Sequence, residues 1–253
     1  LISKNTEVDS FYLTSGLEFY PDDNTMIGIS GYFSSLDASV PLSQRVESDT
    51  YAASLYVRHA ITDGPVIDGQ ISMGSMGFDT RRQVQFLTAP QTLQSSSDDR
   101  LVSGSLGISY DLTSSIGTIS PGIEARYASV DLSTVRETGG TLALRAERES
   151  FESKQARFGF GYEKQGKTVA INANAQLVWE FEDGPQLLGA NFAQGTGPNT
   201  NFVLDTADHT WGEVGVNATF GTGALQMNLA LDTTIGRTNA DAQVIRAGAT
   251  YRF

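Results

Sequence analysis

The stretch Val169-Ala170-Ile171-Asn172-Ala173-Asn174-Ala175-Gln176-Leu177-Val178-Trp179-Glu180-Phe181-Glu182 alternates residue by residue. Every odd-numbered position is apolar, and the even-numbered positions are mostly polar. A period of two places successive side chains on opposite faces of a β-strand, whereas a helix would repeat every three to four residues. A strand with one apolar and one polar face suits a wall with lipid on one side and a wet interior on the other. A soluble sandwich strand would read the same way.

The alternation recurs along the chain. Gly212 to Phe220 sets Val214, Val216, Ala218 and Phe220 against Glu213, Gly215, Asn217 and Thr219. Leu225 to Ile235 and Val102 to Asp111 repeat it. Weaker members are Phe11 to Tyr20, Thr25 to Ser35, Thr50 to Ala60, Val66 to Phe78, Ile119 to Val130, Glu149 to Glu163 and Ala242 to Phe253. This makes about eleven strands of roughly ten residues or more, longer than most globular strands and suited to a tilted bilayer crossing. The links alternate between tight turns, such as Pro21 to Asn24, Thr62 to Pro65 and Lys164 to Lys167, and long polar segments. The long ones are Leu36 to Asp49, Arg81 to Asp98, Ser133 to Arg148 and Asp183 to Thr210. The expected fold is therefore all-β, a transmembrane antiparallel up-and-down barrel with short periplasmic turns and long external loops.

Composition narrows the function. The 253 residues carry a formal charge of -12, which repels nucleic-acid phosphates. Cysteine is absent, so thiolate metal sites and disulfides are excluded. No apolar run approaches the length of a spanning helix. No composition shift divides the chain, so residues 1–253 read as one domain. The chain opens on Leu1, so residue 1 is expected to be internal to a longer precursor. With the C-terminus periplasmic, counting back places Leu1 outside, and an even strand number then implies one strand upstream, twelve in all, unless residues 1–10 hold a weakly marked strand or the count is off by one.

Polar residues on the expected lumenal faces include Arg58, Glu124, Arg126, Arg157, Glu163, Glu180, Glu182, Glu213, Arg246 and Arg252. They either contact something inside the barrel or fill a hydrated interior by pairing with one another, the default for such a lumen. The two histidines, His59 and His209, offer little material for a metal cluster or a charge relay. Asp205, Asp208 and His209 read more simply as a solvated acidic loop than as a rim active site. Gly139-Gly140 and Gly195-Thr196-Gly197 do not open a helix after a strand, so they lack the context of a phosphate-binding loop. No catalytic residue, metal site or cofactor is expected. Trp179, Phe181, Tyr251 and Phe253 suit interfacial aromatic belts.

Two stretches carry a family resemblance. Val66-Ile67-Asp68-Gly69-Gln70-Ile71 running into Gly77-Phe78-Asp79-Thr80-Arg81-Arg82 resembles the fifth-strand region of autotransporter barrels. Gly16-Leu17-Glu18-Phe19 with Met26 to Tyr32, and Pro121 to Tyr127, are similar to that family's second, third and seventh strands. The alternation of Ile245, Ala247, Ala249 and Tyr251 ending on Phe253 resembles the signal by which the barrel-assembly machinery recognises outer-membrane proteins. The resemblance implies the translocator of a type V secretion system. Such a domain would export and anchor an N-terminal passenger at the surface of a Gram-negative cell, hold a linker helix in its lumen, and take outer-membrane lipid and the assembly machinery as partners. The competing readings are a small outer-membrane pore and, with less material, a rim-active enzyme.

Overall fold

A computed structural model describes residues 7–40, 44–86, 89–182, 184, 187–195, 197–203, 208–221, 225–238 and 242–251. The strands are β1 (Glu7–Asp22), β2 (Thr25–Val40), β3 (Gln44–Ala60), β4 (Val66–Phe86), β5 (Ala89–Ser109), β6 (Leu112–Ser114), β7 (Gly117–Asp131) and β8 (Val135–Arg136). They continue with β9 (Leu144–Arg148), β10 (Phe151–Gln165), β11 (Val169–Glu180), β12 (Leu187–Phe192), β13 (Thr200–Val203), β14 (Thr210–Phe220), β15 (Leu225–Ile235) and β16 (Gln243–Tyr251). Eleven of them form one antiparallel path, β1-β2-β3-β4-β5-β7-β10-β11-β14-β15-β16, with β6 paired to β7. Nearly every long strand therefore pairs with its long neighbours in sequence, the up-and-down connectivity that tight turns dictate. Among the described residues β1 and β16 end the path without pairing with each other.

The turns use the chemistry their sequence offers. Asp22 accepts from the Asn24 N–H at 2.8 Å and from Thr25 Oγ1 at 3.0 Å, closing β1 onto β2. Asp63, at φ 53°, takes the left-handed turn before β4 that aspartate tolerates. Gly221, at φ 128°, follows β14 where an added Cβ would lie 2.4 Å from the Leu225 carbonyl oxygen, so only glycine fits.

The two faces of the wall differ as the alternation requires. On β11, Leu177 and Trp179 are 50% and 52% exposed, while their neighbours Val178 and Glu180 are 0% and 3% exposed. An apolar row runs along the outer surface: Ile119, Tyr162, Ala173, Val216, Leu231 and Ile245 are successive register partners across β7, β10, β11, β14, β15 and β16, with Tyr162 and Ala173 half-buried and the other four exposed. A soluble fold would turn this surface inward, so its exposure answers the sandwich alternative and points to lipid. Near one end the outer face becomes aromatic, with Phe33 between Phe11 and Tyr51 at 5.5 and 4.9 Å, and Trp179 stacked on Phe181 at 6.5 Å. Beyond that belt the carboxylates of Asp9, Asp37, Glu47 and Asp79 stand in one cross-strand row. Charge of that kind ends the apolar band, because it has no place in hydrocarbon.

The expected long loops are partly strand. Arg81 to Asp98, read as a loop, lies almost wholly within β4 and β5, each 21 residues long, so the hairpin continues far past the apolar band. Its upper half is rich in Gln and Ser and needs no alternation where neither face meets lipid. Ser133 to Arg148 and Asp183 to Thr210 contribute β8, β9, β12 and β13, a second sheet in the order β13-β12-β9-β8. It meets β5 through the bridge between Gln94 and Thr138.

Lipid exposure makes the outer face intolerant of charge and leaves the inner face permissive. Val216→Arg is expected to destabilise the barrel by about 2–4 kcal/mol, and Asn172→Arg on the lumenal face to change it by no more than about 0.5 kcal/mol. The check is the urea midpoint of each variant refolded in lipid vesicles.

Candidate functional site

The site is the lumenal face. Its central row follows from register alone: Arg58 on β3, Asp68 on β4, Gly107 on β5, Glu124 on β7, Arg157 on β10, Val178 on β11 and Trp211 on β14 are successive cross-strand partners. Gly107 leaves room for its neighbour, since a Cβ there would lie 2.7 Å from the Asp68 carboxylate. The row is polar in its first half and becomes apolar at Val178 and Trp211.

Arg157 organises the best-ordered part. The residue is 9% exposed. Its guanidinium donates to both oxygens of Glu213, at 3.0 and 3.1 Å, to Gln176 Oε1 at 3.1 Å and to Gln155 Oε1 at 3.0 Å. Glu213 also accepts from Trp211 Nε1 at 2.9 Å. The pair joins β10 to β14 across the intervening β11, and the fork of the arginine matches the carboxylate bidentately. Glu180 is equally satisfied, accepting from Ser153 Oγ at 2.6 Å, the Lys154 N–H at 2.8 Å and Gln155 Nε2 at 3.1 Å.

Other expected lumenal residues pair more loosely or stand apart. Arg126 and Glu124 form a pair at 2.8 Å with the arginine side chain 43% exposed. Arg246 pairs with Asp232 across β15 and β16. Glu163 accepts from Gln165 at 2.8 Å near the turn end of β10, and Arg58 is exposed beside Asp68 in the central row. Glu182 lies beyond β11 and pairs with Lys154 rather than lining the wall. Of the terminal signal, Ile245 is 74% exposed on the outer face and pairs with Leu231, and the Tyr251 backbone pairs with Leu225. The Tyr251 side chain, Arg252 and Phe253 lie outside the described residues, as do Asp205 and Thr196. Asp208 is occupied by Thr238, whose N–H and hydroxyl donate at 2.9 and 2.8 Å and hold the carboxyl below its usual range. The His209 carbonyl accepts from the Glu180 N–H at 2.8 Å.

Several residues escaped the sequence reading. Asp99 is fully buried and accepts from Ser133 and from Arg148 Nη2 at 2.7 Å. Arg82 donates through Nε and Nη2 to Glu137 at 2.6 and 2.7 Å. Burial pushes the Glu137 carboxyl up, but the Arg82 fork and the Leu144 N–H, at 2.8 Å, outweigh it and hold the group below its usual range. Both pairs lie outside the alternating segments, and the doublet Arg81-Arg82, with its second arginine in lumenal phase, was the only hint.

Among the described residues no cluster could hold a metal ion. The face instead offers paired charges and amide side chains to the interior.

The family model for the autotransporter beta-domain matches residues 3–252. The fold is shared with the translocator domain of the autotransporter NalP from Neisseria meningitidis, at TM-score 0.68 and 14% identity, covering 98% of this chain and 82% of that one. It is shared also with the beta domain of the Bordetella autotransporter BrkA, at TM-score 0.53 and 14% identity, covering 98% and 92%. The transport unit of AIDA-I from Escherichia coli matches at TM-score 0.51 and 13% identity, covering 98% and 84%. No curated protein sequence matches at a significant level.

Two outcomes test the electrostatics. Arg157→Gln, which strips hydrogen bonds from a nearly buried carboxylate network, is expected to cost about 1.5–3 kcal/mol, and Arg126→Gln less than about 1 kcal/mol; denaturant midpoints in vesicles check both. Because the folded Glu137 titrates below the unfolded group, its contribution is complete above the ordinary carboxylate range, near pH ~4, and is lost as pH falls through the lower folded value. The Leu144 amide is therefore expected to lose protection from hydrogen exchange in that acid window and nowhere above it.

Proposed function

The chain belongs to the autotransporter β-domain family, and from that membership we infer that it works as an outer-membrane translocator, carrying a passenger domain across the membrane and anchoring it at the cell surface. The observation that supports this most is the union of the family match over nearly the whole chain with a continuous apolar outer surface wrapped around a charged, hydrogen-bonded lumen. Transport is the activity of such a wall, and the reading assigns no catalytic residue to it.

The finer parts of the reading are our own extension of it, and the same geometry supports them. Residues 1–253 form one barrel domain. The barrel closes at the edges of β1 and β16, which are unpaired among the described residues, since an open edge in hydrocarbon leaves backbone groups without partners. The tight turns and the C-terminus face the periplasm, and the long β4–β5 hairpin with the second sheet faces outward. The outward-facing Ile245 belongs to the signal read by the barrel-assembly machinery, together with Tyr251 and Phe253. The lumenal charges, with Arg58, Glu124, Arg126, Arg157, Glu163, Glu180, Glu213 and Arg246 among them, line the path of the passenger and later face a linker helix.

Protease shaving of intact cells that produce the full-length gene tests the reading. A large upstream fragment should be released, leaving a remnant of about this size that migrates differently when loaded cold and boiled. A heat-modifiable barrel with no released fragment would make the chain a plain pore, and a band indifferent to heating would contradict the membrane barrel.

A further inference from the structure

The second sheet repeats the order of the wall beneath it. β8 follows β7, β9 leads into β10, β12 comes after β11 and β13 before β14, and the bridge between Gln94 and Thr138 joins the β8 segment to β5. The sheet is therefore the wall carried on past the aromatic belt of Trp179 and Phe181, and its two sides can be assigned. Arg148 on β9 reaches Asp99, and Glu137, next to β8, accepts from Arg82. Asp99 and Arg82 are both in lumenal phase, so the side bearing Arg148 and Glu137 continues the lumenal face.

That side is apolar. Register sets Val135, Ala146 and Ala190 in one row upon it, Leu188 beside Phe202 in another, and Phe192 in a third. The opposite side carries Arg136, Arg145, Glu147, Asn191 and Asn201, with the apolar pair Leu187 and Val203 at the end nearest the belt. Where the wall crosses the membrane, apolar side chains face lipid and polar ones face the lumen; in this sheet the assignment is reversed. Phe192 and Phe202 are 54% and 51% exposed on a side turned away from the bilayer. Large apolar side chains grouped in water mark a surface that another chain covers. β13 also ends the sheet, and its far edge is unpaired among the described residues, leaving backbone N–H and C=O groups to receive a further strand.

We propose that an extended, apolar segment of the passenger docks on this side of the second sheet once it has left the lumen, pairing with β13 as an added strand and laying alternate side chains beside Phe202 and Leu188. The proposal rests on the translocator reading and deepens it. Position selects the occupant: the side is continuous with the lumenal face, so the chain that passes it is the one leaving the barrel, and lipid does not reach it. Strand addition supplies the affinity through main-chain hydrogen bonds, and the row of Phe202 and Leu188 selects for apolar residues at every second position. The wall thereby offers the emerging chain one ordered strand outside the membrane before the rest of it has folded.

Phe202 and Asn201 are adjacent on β13 and both exposed, one on each side of the sheet. The full-length protein is produced in cells with a recognition site for a sequence-specific protease between passenger and barrel, and with photoreactive benzoylphenylalanine in place of Phe202 or of Asn201. Cold-loaded gel mobility confirms that each barrel is folded. Without irradiation the protease should release the passenger from intact cells; no release would overturn the translocator reading and the docking with it. After irradiation, position 202 should hold the cut passenger to the barrel about tenfold more often than position 201, and Leu188→Asp should bring the yield at 202 down to that at 201. A passenger released alike from both positions, or an adduct at 202 with the mass of two barrels or of a different protein, would overturn the docking and leave the translocator reading standing.

Discussion

A backbone N–H or C=O in hydrocarbon finds no water, and each one left unpaired costs several kcal/mol. The rest of this structure depends on that constraint. It requires a ladder in which every strand is paired on both sides, and among the described residues the eleven-stranded path supplies this for each long strand between β1 and β16. It also fixes what side chains are free to do. With hydrogen bonding settled by the backbone, one face of every strand is left for lipid and the other for the lumen, and the alternation of Val169 to Phe181 is the written form of that division.

Register turns the division into function. Arg157 meets Glu213 because β10, β11 and β14 pair in an unbroken register that sets Arg157 beside Val178 and Val178 beside Trp211. A slip of one residue on β11 would send Gln176 and Glu180 to the lipid and Leu177 and Trp179 to the lumen. The outer apolar rows and the lumenal charges therefore specify the same pairing from opposite sides. The row Asp9, Asp37, Glu47 and Asp79 adds a third mark, since it is tolerable only beyond the apolar band.

Sequence legibility followed the lipid. Where a strand crosses the apolar band, as at Gly212 to Phe220, alternation is enforced and the strand and its two faces could be read directly. Above the band the same backbone continues without that pressure. Gln91 to Ser97 read as a loop although it is the upper part of β5, and the strands β8, β9, β12 and β13 gave no period at all. The partners of the lumenal charges were unreadable for a different reason: Arg157 with Glu213, or Asp99 with Arg148, are pairs made by register across strands, and register is not written in any one segment. Asp68 was quoted for its motif, and its place between Arg58 and Gly107 became apparent only once β3, β4 and β5 were aligned.

The central claim is that the odd-numbered face of β11 lies in lipid and the even-numbered face in water. Nitroxide labels placed one at a time from Val169 to Glu180, in the protein reconstituted into vesicles, test it through collision with oxygen, which concentrates in lipid, and with a water-soluble nickel chelate. The account predicts a period of two, with oxygen favoured at Ile171, Ala175, Leu177 and Trp179 and the chelate favoured at Asn172, Asn174 and Gln176. Uniform access to the chelate, or the opposite phase, would contradict it.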